Sequence, residues 1–141
     1  MIRRTLGVAW AGLLLLACGA SGTFGLITEL TVGTWGGEQA GVVVGATTAH
    51  VHVGCTYGDF PAPIPVDDGR FSVPGDYLLR AHPVAVGPTM PARFAGVVEG
   101  DELIMTVAVH DTITGELVVL GPVTVQLGHD PEMGPCPICA M

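Results

Sequence analysis

Residues 34–55 most constrain what this chain can fold into. Trp35 is followed by two runs rich in valine, alanine and threonine, and small residues join the two runs. Short runs of this composition, bounded by glycine, are typical of β-strands. The second run ends at Cys55. The stretch therefore predicts the opening hairpin of a small β-domain.

The rest of the chain repeats this alternation of short β-rich runs and turns. Asp68-Gly69 is a hairpin turn signal, because both residue types accept the positive φ angles of a type I′ turn. Proline-rich residues 56–65 and 81–91 are predicted loops. Pro74-Gly75 is a predicted strand break or bulge, and Gly121-Pro122 is a predicted strand break. The predicted strands are residues 40–45, 49–55, 71–73, 76–80, 93–99, 102–110, 116–120 and 123–127.

These strands predict an all-β fold with almost no helix. We expect a small antiparallel β-barrel or β-sandwich of about 7–9 short strands, since either form disposes of exposed sheet edges. An N-terminal signal helix is expected to precede it. In residues 102–110, alternate positions from Leu103 to Val109 are apolar, so one face of that strand should point into the core.

The N-terminus has the pattern of a bacterial export signal. Arg3 and Arg4 precede an apolar segment, residues 6–16, that is too short for an ordinary transmembrane helix. The segment closes with Leu-Leu-Ala-Cys, which resembles a lipobox and predicts cleavage before Cys18. Diacylglycerol on the Cys18 thiol would then anchor the protein in a membrane. The alternative is a plain signal peptide and a soluble secreted or periplasmic protein.

The predicted organisation has four parts. Residues 1–17 are the lipoprotein signal peptide, 18–33 a tether after the lipidated cysteine, 34–128 the antiparallel β-domain, and 129–141 a tail rich in proline and cysteine. The expected location is the bacterial cell envelope, as a lipoprotein facing the periplasm. Gly19-Ala20 carries no acidic residue, and by similarity to sorted lipoproteins this favours the outer membrane.

Charge excludes one class of partner. The chain has no lysine, five arginines and thirteen acidic residues, giving a net charge of −8. Removal of Arg3 and Arg4 with the signal peptide would leave a mature chain with a net charge of −10. Such an acidic surface repels phosphate backbones, so no nucleic-acid partner is expected.

A series of short motifs follows in fixed order along the chain. The motifs are Gly33-Thr34-Trp35-Gly36-Gly37-Glu38, Cys55, Asp68-Gly69-Arg70-Phe71, Gly75-Asp76-Tyr77, Pro91-Ala92-Arg93-Phe94-Ala95-Gly96, Met105-Thr106-Val107 and the terminal cysteines. This series resembles a family of small, uncharacterised bacterial secreted proteins and lipoproteins. The resemblance implies a compact all-β domain with a strand cysteine available to pair with one near the C-terminus, and it implies no activity. This chain differs in ending with two cysteines.

With Cys18 lipidated, three cysteines remain for an oxidising compartment, enough for one disulfide. Cys55 falls on the strand face shared with Val51 and Val53, which should point inward. We therefore expect a bridge from Cys55 to Cys136 or Cys139 that pins the tail across the core. The alternative is a local bridge between the two tail cysteines.

The tail also suggests metal binding as an alternative function. His129, Met133, Cys136 and Cys139 combine imidazole, thioether and thiolate, a set that suits Cu(I) or, through the thiolates, Zn(II). A tail closed by a disulfide competes with this reading, because oxidised cysteines are poor ligands.

Two histidines form a second, weaker candidate. His50 and His52 lie two apart on a predicted strand and so share the face opposite Val51 and Val53. They could chelate a metal with a third ligand such as His110. Surface histidines without a ligand are the commoner case.

The sequence predicts no enzyme and no cofactor. Neither Ser21 nor Ser72 lies in a Gly-x-Ser-x-Gly motif, so a serine nucleophile is not indicated. The Cys-x-x-Cys at 136–139 has only two residues after it, too few for the helix that activates a redox motif. The leading prediction is a non-enzymatic β-domain that acts as a binding or structural module.

Overall fold

Eight strands follow one another along the chain, and each pairs antiparallel with the next. A computed structural model describes residues 26–81 and 87–136. Strand β1 also pairs with β8, which closes the sheet into a barrel. The strands are β1 Gly33–Gly37, β2 Ala40–Val44, β3 Thr48–Val53, β4 Thr56–Pro61, β5 Arg70–Leu78, β6 Met90–Glu99, β7 Glu102–His110 and β8 Leu117–Leu127.

The all-β prediction is confirmed, and of the two expected architectures the barrel is the one observed. The predicted signal helix lies outside the described residues. Within the two described ranges, no helix is long and apolar enough to cross a bilayer.

The barrel interior is filled by side chains from alternate strand positions. Trp35, Phe60, Tyr77 and Phe94 are at most 1 % exposed, and the predicted inward face of β7 is fully buried from Leu103 to Val109. The Trp35 indole Nε1 donates a hydrogen bond to the carbonyl of Thr31 at 3.0 Å. Eight strands give a barrel just wide enough for such side chains to fill. The inner volume is therefore a core.

Three proline- or glycine-containing segments differ from the sequence prediction. The predicted loop at residues 56–65 contains strand β4, whose inward positions are Gly58 and Phe60. The predicted break or bulge at Pro74-Gly75 lies inside continuous strand β5, whose register with β6 is uninterrupted, and Pro74 is beyond the residues that pair with β4. A strand tolerates proline at such an edge position. Gly121-Pro122 lies inside β8, which absorbs it as a bulge opposite β7 between residues 105 and 107.

The predicted turn at Asp68-Gly69 is confirmed. The two residues have φ angles of 50° and 72°, and Asp67 and Arg70 bond to each other across the turn. Positive φ at both central positions is the requirement of a type I′ turn.

Part of the segment predicted as a tether packs on the barrel. Leu30 is 2 % exposed, and its N–H donates to the carbonyl of Ile64. Val66 donates in turn to Thr28. The segment before β1 is thus bound to the loop that follows β4.

An ion pair joins two connections at one end of the barrel. Arg80, just after β5, donates to the Asp111 carboxylate from Nη1 at 3.4 Å and from Nη2 at 2.9 Å. Asp111 Oδ1 also accepts hydrogen bonds from the backbone of Ile113 and Thr114. The Arg80 guanidinium and these backbone donors lower the pKa of Asp111 from 3.8 to about 2.

Candidate functional site

The outer surface of β2, β3 and β4 carries two rows of side chains. The register aligns Gly41 with His52 and His52 with Tyr57, while Val43 aligns with His50 and His50 with Asp59. Residues paired across neighbouring strands project to the same face of a sheet. Ala49 and Val51 are fully buried, so His50 and His52 point outward, as the spacing predicts.

The two histidine rings converge. Their Nε2 atoms are 2.9 Å apart, and the ring centroids are 4.7 Å apart with an angle of 69° between the planes. On its other side, Nδ1 of His50 lies 2.6 Å from Oδ1 of Asp59. A carboxylate accepts only, so Nδ1 of His50 carries the proton of that bond. When His50 is neutral, its Nε2 therefore presents a lone pair to His52.

Tyr57 packs beside both rings. Its ring centroid is 5.3 Å from that of His52 and 5.6 Å from that of His50. Partial burial and, secondarily, the neighbouring His50 lower the pKa of His52 below 6.5, while Asp59 opposes this shift. This shift favours the neutral form of the His52 imidazole.

The C-terminal tail forms the other wall of this site. After β8 the chain turns back, and Glu132 exchanges backbone hydrogen bonds with Gly37 and Gln39 at the β1–β2 turn. A Cβ on Gly36 would overlap the carbonyl of His129, and one on Gly41 would overlap the ring of Pro131. Glycine at these two positions lets the tail lie directly on the barrel.

The tail and the strands enclose a recess of about 270 Å³. Its base is the outer surface of β2 and β3, and its wall comes from the tail. Met133 is 40 % exposed and lines this recess with both histidines. The lining residues are Gly41, Val43, His50, His52, Pro131 and Met133. We call this recess the histidine recess.

A disulfide joins Cys55 to Cys136 and holds the end of the described tail. Of the expected partners for Cys55, Cys136 is the one observed, and Cys139 lies outside the described residues. Strand β3 ends at Val53, so Cys55 belongs to the β3–β4 turn. The expectation of a bridge across the core is wrong, because the disulfide ties the tail to one end of the barrel.

The disulfide also changes the predicted tail metal set. Cys136 has no thiolate to offer, and a disulfide sulfur is a poor ligand. His129 is exposed at the start of the tail, and Met133 faces the histidine recess instead. Within residues 26–81 and 87–136, no three side chains of His, Cys, Asp or Glu converge as metal ligands. The predicted lipidation site Cys18 lies outside these ranges.

His110 is not near the histidine pair. It ends β7, four strands away from β3 around the barrel. The actual neighbours of the pair are Tyr57 and Asp59, which the sequence pattern does not indicate because the composition of residues 56–65 is typical of a loop. The alternation of Tyr57 and Asp59 with the inward Gly58 and Phe60 is the signal that could have placed them on a strand.

Comparisons with known proteins add no relative. No family model matches the chain, and neither the curated proteins nor the solved structures that were searched contain a significant match.

Proposed function

We propose that this chain is an exported lipoprotein of the bacterial envelope whose barrel is a non-enzymatic binding module. The observation that carries the proposal is the disulfide between Cys55 and Cys136, which joins positions 81 residues apart. Such bonds persist in the periplasm and other oxidising compartments and are rare in the cytosol. The export signal and the lipobox-like sequence ending at Cys18 lead to the same compartment.

The barrel favours binding on its outside. Many eight-stranded barrels hold a small ligand in the lumen, but here large aromatic side chains fill that space. The histidine recess is the surface we assign to the ligand, because two imidazoles and a thioether line it together. Polar groups that converge in a mostly apolar recess are the usual form of a small-ligand site.

The anchor is tested by metabolic labelling with a radioactive fatty acid. The wild-type chain should incorporate the label and fractionate with membranes, whereas Cys18→Ala should do neither. Cys139→Ala is the matched control, since it removes a cysteine outside the lipobox and should label like the wild type. Equal labelling of wild type and Cys18→Ala would contradict the anchor. An unlabelled, soluble wild-type protein would support the plain signal peptide instead.

Localisation to the inner or the outer membrane is tested separately, by density-gradient separation of the two membranes. We expect the labelled protein in the outer-membrane fraction, because the two residues directly after Cys18, Gly19-Ala20, include no acidic residue. Recovery in the inner-membrane fraction would contradict that address without affecting the anchor.

A further inference from the structure

Two imidazoles of strand β3 in the histidine recess are close enough to bind one metal ion together. Nε2 of His50 and Nε2 of His52 are 2.9 Å apart, so Nε2–H of His52 donates a hydrogen bond to Nε2 of His50. An ion that replaces this hydrogen bond requires His52 to carry its proton on Nδ1, which frees both Nε2 lone pairs. For an ion at the usual metal–imidazole distance of about 2.0 Å from both atoms, the Nε2–metal–Nε2 angle would be about 90°. Two imidazoles at a right angle are cis ligands of a tetragonal site, the geometry that Cu(II) prefers, whereas tetrahedral Zn(II) needs a wider angle.

Asp59 prepares His50 for this role. Its carboxylate binds Nδ1 of His50 at 2.6 Å, on the side of the ring away from His52. A carboxylate on the second nitrogen of a metal-binding histidine fixes the tautomer and ring orientation and raises the basicity of the ligating nitrogen. Asp59 is thus a positioning residue that does not bind the ion itself. This agrees with the finding that no three His, Cys, Asp or Glu side chains of the described ranges converge.

The tail supplies a soft donor to the same recess. Met133 lines it opposite the strands, and the disulfide at Cys136, three residues further on, limits how far Met133 can move away. Thioethers favour the soft ion Cu(I) over hard divalent ions. Lysine and arginine do not occur among the residues that line the recess, so no fixed positive charge opposes a cation there.

We propose that His50 and His52 bind a copper ion through their Nε2 atoms, with Met133 as a soft third ligand and Asp59 as the residue that orients His50. The proposal deepens the binding function proposed above and rests on it, because it names the ligand class of the same recess. It replaces the tail set predicted from sequence, of which only Met133 is retained.

The test is a copper titration of the full exported chain, purified in detergent with its disulfide intact. Cu(II) alone is the probe, measured by competition with a chelator and by electron paramagnetic resonance. One copper should bind per chain, with hyperfine coupling from imidazole nitrogens. His50→Gln and His52→Gln should each weaken binding by about 100-fold or more, since even loss of a group that only hydrogen-bonds a metal ligand costs about 10- to 100-fold. His110→Gln and His129→Gln are the matched controls and should stay within about twofold of wild type.

Asp59→Asn and Met133→Leu separate the two supporting roles. Asp59→Asn should weaken Cu(II) binding by about 10- to 100-fold and alter the nitrogen coupling without abolishing it. Met133→Leu keeps the size of the side chain and should weaken Cu(I), supplied with ascorbate, more than Cu(II), because the thioether is the softer ligand. Thermal unfolding and intact mass of every variant verify the fold and the disulfide.

Copper that binds equally well to folded His50→Gln/His52→Gln protein would overturn the proposal, as would tighter binding of Zn(II) or Ni(II) than of Cu(II). A spectrum without imidazole coupling would do the same. These failures are distinct from failure of the anchor, because fatty-acid labelling of Cys18 does not depend on the recess. A labelled protein that binds no copper keeps its envelope role and loses only this ligand.

Discussion

Removal of the disulfide should lower the free energy of unfolding by several kcal/mol. The perturbation is the double variant Cys55→Ala/Cys136→Ala, which leaves no unpaired partner thiol. The bond spans 81 residues. In the chain-entropy model, a loop of that size restricts the unfolded ensemble by about 4.5 kcal/mol at 25 °C. For a domain of this size, that loss corresponds to a fall in Tm of roughly 15 °C.

The assay is urea unfolding of wild type and double variant, followed by tryptophan fluorescence and circular dichroism. We expect a loss of about 3–4.5 kcal/mol and a larger m-value in the variant, because an unfolded chain without the cross-link exposes more surface. Trp35 lies in the core and reports loss of the barrel. Cys139→Ala is the control and should unfold like the wild type if Cys136 alone pairs with Cys55.

The reasoning would be refuted by a double variant that loses less than about 1 kcal/mol while peptide mapping finds the Cys55–Cys136 bond in the wild type. Such a result would mean that the unfolded chain is restricted by something other than the cross-link. Reduction of the wild type provides an independent check, since it should reproduce the stability of the double variant.

Two further predictions concern the Arg80–Asp111 pair and the tail. Since the folded pKa of Asp111 is lowered from 3.8 to about 2, its pairing stabilises the fold above pH 4 and loses this effect as pH falls towards 2. Asp111→Asn should therefore be less stable than wild type above pH 4 by urea unfolding, and the difference should shrink towards pH 2; a constant difference would contradict the ion-pair explanation. Gly41→Val should displace Pro131 and make the tail more sensitive to limited proteolysis; an unchanged cleavage rate in Gly41→Val would contradict the proposed path of the tail.

The fold was predictable wherever strands follow simple alternation. Residues from Leu103 to Val109 alternate strictly, and the predicted strand 102–110 has the observed bounds of β7. The pattern does not predict strand β4, because Gly58 is at an inward position and the prolines from Pro61 onward are typical of a loop. In the folded barrel, Tyr77 packs so closely on Gly58 that a larger residue would overlap it. Tertiary packing, which sequence patterns do not contain, selected glycine there.

The candidate site was predictable only as a pair. Two-residue spacing fixes that His50 and His52 share a face, but it does not say which strand lies beside them. The expected third ligand, His110, is on the far side of the barrel, and the residue beside His50 is Asp59. The path of the tail depends on Gly36 and Gly41, because a side chain at either position would overlap the tail. Nothing in the sequence shows that the tail packs on these two glycines.

The direction of the strands determines which end of the barrel would face a membrane. The chain enters β1 at Gly33, and the segment before it is bound to the loop between β4 and β5. Strand β3 runs the same way as β1 and leads to the Cys55–Cys136 bond at the opposite end. With a lipid on Cys18, the entry end would rest towards the bilayer and the disulfide end would point away from it. Under the anchor proposed above, the Cys55–Cys136 bond would thus lie at the end of the barrel that is farther from the lipid head groups.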